Sequence, residues 1–110
     1  MSDKKDLESI FRLYLDATKR DDGEIIVLIL NYLSHLFVDE EGENTEPILL
    51  EDFTHYEVDD FLNFYLEDNF ENFLELQAKS KIMLRNFLKF LKERKYFNKE
   101  EVEEWMEILK

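Results

Sequence analysis

The 110 residues contain 14 Lys+Arg against 27 Asp+Glu, a formal net charge of −13, with 45% hydrophobic and 15% aromatic residues. Such a chain fits a single helical domain over residues 1–110, and its apolar content is too high for a disordered acidic tail. The lack of cysteine excludes a disulfide framework, a thiolate metal site and a cysteine nucleophile, and the charged residues 1–6 with a longest apolar run of only 25–30 predict a cytoplasmic protein that does not enter a membrane.

Two glycines and one proline, among Leu, Glu, Lys and Phe recurring at helical spacing, predict an all-α fold. A first helix is expected over residues 2–19 with Ser2 as N-cap, because Leu7, Ile10, Phe11, Tyr14 and Leu15 fall at i, i+3, i+4, i+7 and i+8. Asp21-Asp22-Gly23 interrupts that pattern and can cap a second helix over 24–38. Its β-branched start resembles a buried strand, but Tyr32, Leu33, Leu36 and Phe37 extend the helical spacing past strand length. This reads as the central helix, apolar on nearly all sides. Residues 39–47, acidic and holding Gly42 and Pro47, form the expected mobile loop.

Thr54-His55-Tyr56-Glu57 has the form of a capping box, in which Thr and Glu side chains satisfy each other's orphan backbone donors. The third helix then presents Val58, Phe61, Leu62 and Tyr65 and stops near Asp68-Asn69. A longer helical region, 70–95, follows, with an interruption expected near Lys79-Ser80. Asn98 and Glu101 repeat the capping logic before a last helix carrying Val102, Trp105, Met106 and Leu109. The sum is a compact orthogonal bundle of five or six helices.

Little in the sequence supports catalysis. Gly23 and Gly42 stand in no motif spacing, so neither a P-loop nor a dinucleotide fingerprint can be built. Ser34 and His35 are adjacent on a helix, and their side chains diverge by about 100°, which keeps them from acting as a nucleophile–base pair. His55 beside Glu57, Asp59 and Asp60 offers nitrogen and oxygen donors of the kind a divalent metal uses. In a chain this acidic such a neighbourhood arises by chance, and His55 reads as a helix-start residue with Glu57 in the cap. His35 reads as a hydrogen-bonded core-edge residue. No catalytic residue, cofactor or metal ligand is assigned, and a non-enzymatic protein is expected.

The distribution of charge is more informative. Residues 21–78 carry 17 acidic side chains and no Lys or Arg, whereas residues 79–99 carry eight basic side chains against the single acid Glu93. On a helical wheel Lys81, Arg85, Lys89, Lys92 and Lys95 occupy roughly one third of the circumference, opposite Met83, Leu84, Phe87, Phe90 and Leu91. Such a basic face can pair with neighbouring acidic helices or contact phosphates. Conversely, an acidic face of Glu57, Asp59, Asp60, Glu67 and Asp68 can dock a basic protein or imitate a nucleic acid. Among the 16 aromatic residues, Tyr14, Phe64, Phe73 and Trp105 are the candidate anchors for a partner.

Residues 50–97 resemble the SAM-like, N-terminal core-binding domain of tyrosine recombinases and phage-type integrases. The resemblance is carried by Asp52-Phe53-Thr54 ahead of Val58-Asp59-Asp60-Phe61-Leu62, and by the run Leu84-Arg85-Asn86-Phe87-Leu88-Lys89-Phe90-Leu91-Lys92. It implies an integrase-like helical scaffold with Lys81, Arg85, Lys89 and Lys92 against the DNA backbone. With Arg12, Arg20, Arg85 and Arg94 as its only arginines, the chain holds no Arg-His-Arg-Tyr active site. The expectation is therefore a small acidic interaction module. Its first-choice partner is another protein or a second copy forming a homodimer, and its second choice is DNA or RNA through the basic helix.

Overall fold

The computed structural model describes residues 6–36 and 48–109, which belong to two compact units, Met1–Phe53 and Thr54–Lys110. Both are helical, as expected for an all-α protein, and the extended pairing among the described residues is an isolated bridge between Asp6 and Leu49. No described helix is long and apolar enough to cross a membrane. The Ser2 cap and the loop at 39–47 fall outside the described residues.

In the first unit, α1 (Leu7–Thr18) begins at Asp6 rather than at Ser2. The Asp6 carboxylate accepts from the Glu8 amide at 3.2 Å and from the Ser9 hydroxyl at 3.2 Å, filling orphan donors of the first turn. Lys19 ends α1 in the left-handed region at φ 57°, its amide donating to the Leu15 carbonyl. The turn that follows leads into α2 (Gly23–Leu36). One face of α2, formed by Ile25, Ile26, Ile29, Tyr32 and Leu33, is buried with Leu7, Ile10, Phe11 and Tyr14 of α1. Val27, Asn31, Ser34 and His35 are exposed, so α2 is not apolar on nearly all sides in its surroundings, and His35 is not a core-edge residue. A 3-10 turn, Leu50–Asp52, closes the unit where the Asp52 carboxylate accepts from the Leu49 amide at 3.0 Å.

In the second unit one continuous helical run comprises α3 (His55–Asp60), a π turn (Phe61–Tyr65) and α4 (Leu66–Asn69). The Thr54–Glu57 capping box forms as the sequence predicts, with the Glu57 carboxylate accepting from the Thr54 amide at 2.8 Å. Next comes α5 (Phe73–Glu93), which is unbroken at Lys79-Ser80. Neither residue lacks a backbone donor or forces a turn, so the i→i+4 ladder continues through them. Its end is a Schellman motif: the Lys95 amide donates to the Lys92 carbonyl, the Tyr96 amide donates to the Leu91 carbonyl, and Lys95 stands at φ 61° where glycine is usual. The last helix, α6 (Lys99–Ile108), starts on the predicted Asn98–Glu101 box.

The core of this unit is aromatic. Trp105 of α6 meets Phe97 edge-on at 5.2 Å and Phe87 of α5 at 6.5 Å, and Leu84, Leu88 and Leu91 of α5 are buried as well. Arg85 ties α5 to the end of α6, its guanidinium Nε donating to the Leu109 carbonyl at 2.8 Å. Counting the run from His55 to Asn69 as one helix, five helical rods make up the described residues.

Candidate interaction surface

The feature that sequence periodicity could not show is the π turn. Its Leu66 amide donates to the Phe61 carbonyl, an i→i+5 bond, and the Gln77 side-chain amide of α5 donates to the Leu62 carbonyl at 3.0 Å. In a plain α-helix, residues four apart drift by about 40° per step, so three steps from Tyr56 would carry Asp68 about a third of a turn away. A π turn holds more residues per turn and removes part of that drift. Tyr56, Asp60, Phe64 and Asp68 are all exposed, forming an alternating aromatic and acidic row on the outer side of the run, with Glu67 beside it. Tyr56 is 72% and Phe64 57% exposed, far more than large apolar rings need to be when a core is near.

The other expected site residues are distributed differently from the sequence reading. Glu57 is half-buried and engaged in the capping box, and Asp59 accepts from Asn63 at 2.6 Å, so neither belongs to an open acidic face. Glu67 and Asp68 do, and Asp60, exposed on the row, also makes a contact of its own. Of the four aromatic anchors only Phe64 is exposed. Phe73 is half-buried, and Trp105 and Tyr14 are buried because each completes the core of its own unit. Tyr56 is an exposed ring outside the four expected anchors. Its position two residues after the Thr54 cap, on the side away from Val58, was the available signal.

On α5, Met83, Leu84, Phe87, Phe90 and Leu91 are buried as predicted, and Arg85, Lys89 and Lys92 lie on the outside with Lys81 half-buried. Two corrections apply. Arg85 is engaged with the Leu109 carbonyl, and Lys95 lies beyond the helix end in the left-handed cap, so neither extends a free stripe. Among the described residues, no carboxylate pairs with Lys81, Lys89 or Lys92, and the expected pairing of the stripe with acidic helices is not seen there; Lys79 pairs instead with Glu75 one turn back at 3.4 Å. Beside the lysines, Leu74 and Ile82 are 68% and 52% exposed. The outer face of α5 therefore combines cations with branched apolar side chains.

His55 and the Tyr14–Asp22–Arg20 group are held in structural contacts. His55 Nδ1 faces Glu104 of α6 at 3.6 Å and its ring packs on Tyr56. Among the described residues, no three His, Asp or Glu side chains are grouped as a metal would require. In the first unit the Tyr14 hydroxyl donates to Asp22 at 2.6 Å, and Arg20 donates to the same carboxylate at 2.8 Å. Burial, and then the adjacent Asp22 carboxylate, push the Tyr14 phenol well above the ordinary tyrosine range. The same carboxylate, by its hydrogen bond, raises Arg20. These interactions hold the α1–α2 turn. Comparison with protein-family models, curated proteins and solved structures finds no match to this chain.

Proposed function

We propose that this protein is a non-enzymatic, cytoplasmic interaction module that docks a basic, apolar-patterned protein segment on the Tyr56–Asp60–Phe64–Asp68 row. The observation that carries the reading is the alternation of exposed rings with carboxylates along one face of a helical run. Rings supply large contact area at low entropic cost, and flanking carboxylates select and orient a cationic partner. A helix or strand with Lys or Arg beside Leu or Ile answers both requirements.

The test is titration of the full chain with a labelled helical peptide that places Lys and Leu at alternate four-residue steps. Saturable binding is expected, weakened about tenfold or more in Tyr56→Ser/Phe64→Ser, since truncating interface anchors commonly costs 1–2 kcal/mol or more. Equal binding by that variant, whose charge is unchanged, would reduce the interaction to general attraction by the −13 body and overturn the reading.

Contact with DNA or RNA through α5 is the second reading. It is favoured by the lysines left without carboxylate partners among the described residues and by the resemblance to recombinase core-binding domains, and opposed by the net charge. Its signature is duplex binding whose log affinity falls steeply with log salt and which is lost in Lys81→Glu/Lys89→Glu. An acidic imitation of nucleic acid calls instead for phosphate-like spacing of carboxylates, which the intervening rings of Tyr56 and Phe64 interrupt.

A further inference from the structure

The molecule carries, on the same unit, a surface with the chemistry that the aromatic–acidic row selects. On α5, the exposed Leu74 and Ile82 share one outer face, about 100° wide, with Lys81, Lys89 and Lys92: Leu74 lies near the line of Lys81 and Lys92, and Ile82 near Lys89. The row on the run from His55 to Asn69 sets Tyr56 and Phe64 eight residues apart, with carboxylates between and after them. Each surface thus intersperses two exposed apolar side chains with side chains of one charge. Their signs are opposite.

We infer that the occupant of the row is a second copy of this chain, presented through the outer face of α5. The inference rests on the docking reading above and names its partner. Contact would bury Phe64 and Tyr56 against Leu74 and Ile82 and bring Glu67 and Asp68 within reach of Lys81, Lys89 and Lys92. Both surfaces are present on every copy, so the contact joins unlike faces. It also accounts for the lysines that lack carboxylate partners among the described residues: their partners are intermolecular.

Ionic strength affects such a contact in two ways. Two −13 bodies repel at long range, whereas the complementary lines meet within a Debye length. Association is therefore strongest near about 0.15 M salt, where the long-range repulsion is screened over about 8 Å, and is weaker at 1 M. Sedimentation or light scattering of the full chain at about 100 µM, a concentration suited to modest affinity, reads this directly. The native chain is expected to exceed monomer mass at 0.15 M, with dissociation rising about tenfold towards 1 M salt.

Charge reversal on one side only, in Lys81→Glu/Lys89→Glu/Lys92→Glu or in Glu67→Lys/Asp68→Lys, is expected to leave monomers that retain native circular dichroism. Mixing the two variants is expected to restore association, because each then offers what the other lacks. A native chain that is monomeric under all these conditions would overturn self-association, as would variants that associate alone as well as the native chain. If the monomeric chain still bound the Lys/Leu peptide through Tyr56 and Phe64, the docking reading would stand and its partner would be a different protein. Loss of both results would remove the docking reading as well.

Discussion

Tyr14 illustrates how a single residue exchanges an expected role for a structural one. Its ring fills the core of the first unit while its hydroxyl reaches Asp22, and no face is left for a partner. Because its native proton is held above the ordinary phenol value, the unfolded chain ionises first as pH rises. The stability contributed is complete below about pH 10 and declines above it, with a slope approaching about 1.4 kcal/mol per pH unit. Urea unfolding between pH 8 and 11 is expected to show that decline in the native chain and much less of it in Tyr14→Phe, which also loses about 1 kcal/mol at neutral pH with the Asp22 hydrogen bond. Ser80 offers the opposite case. Its hydroxyl is fully buried in α5 and has no hydrogen-bond partner among the described residues. A buried unpaired hydroxyl costs about 1–3 kcal/mol, and alanine is the better helix former, so Ser80→Ala should raise stability by about 1 kcal/mol in the same assay. A loss of stability would mean that the hydroxyl is bonded after all.

At the scale of the element, some features were legible in the sequence and others were not, and the division follows the range of the forces. The Thr54–Glu57 and Asn98–Glu101 boxes were readable because each is a reciprocal bond between residues three apart, complete within one turn. The buried stripe of α5 was readable because 3.6-residue periodicity encodes it directly. The π turn was not, since it depends on how Phe61, Leu62 and Leu66 seat in the core and on a donor arriving from Gln77 on the neighbouring helix. Helix ends defined by backbone conformation were also obscure. The sequence pattern extended α5 to Lys95, but the helix stops at Glu93 and Lys95 occupies a left-handed position without being glycine. That conformation costs a side-chain-bearing residue about 1–2 kcal/mol, partly offset because glycine gains more freedom in the unfolded chain. Lys95→Gly should accordingly raise stability by up to about 1 kcal/mol, read as a higher urea midpoint with an unchanged slope.

For the whole molecule the controlling quantity is charge. Like charges at −13 repel within the fold as well as between copies, and few of them are neutralised by ion pairs among the described residues. Raising salt from about 0.02 to about 0.2 M shortens the screening length and should raise the thermal midpoint by several degrees; an unchanged or lower midpoint would mean that specific ion pairs dominate over the net repulsion. Fold class, the two capping boxes that start α3 and α6, and the segregation of acid from base were determined by the sequence alone, since they depend on local bonds, periodicity and composition. Which side chains remain at the surface was decided only by tertiary packing. Helical spacing marks Tyr14, Trp105 and Phe64 alike as large aromatic members of amphipathic helices, but only the positions of neighbouring helices bury the first two and leave the third outside. The same packing engages Arg85 with a distant carbonyl and straightens the row from Tyr56 to Asp68. Burial depends on residues far apart in the chain, and one helix's periodicity carries no record of them.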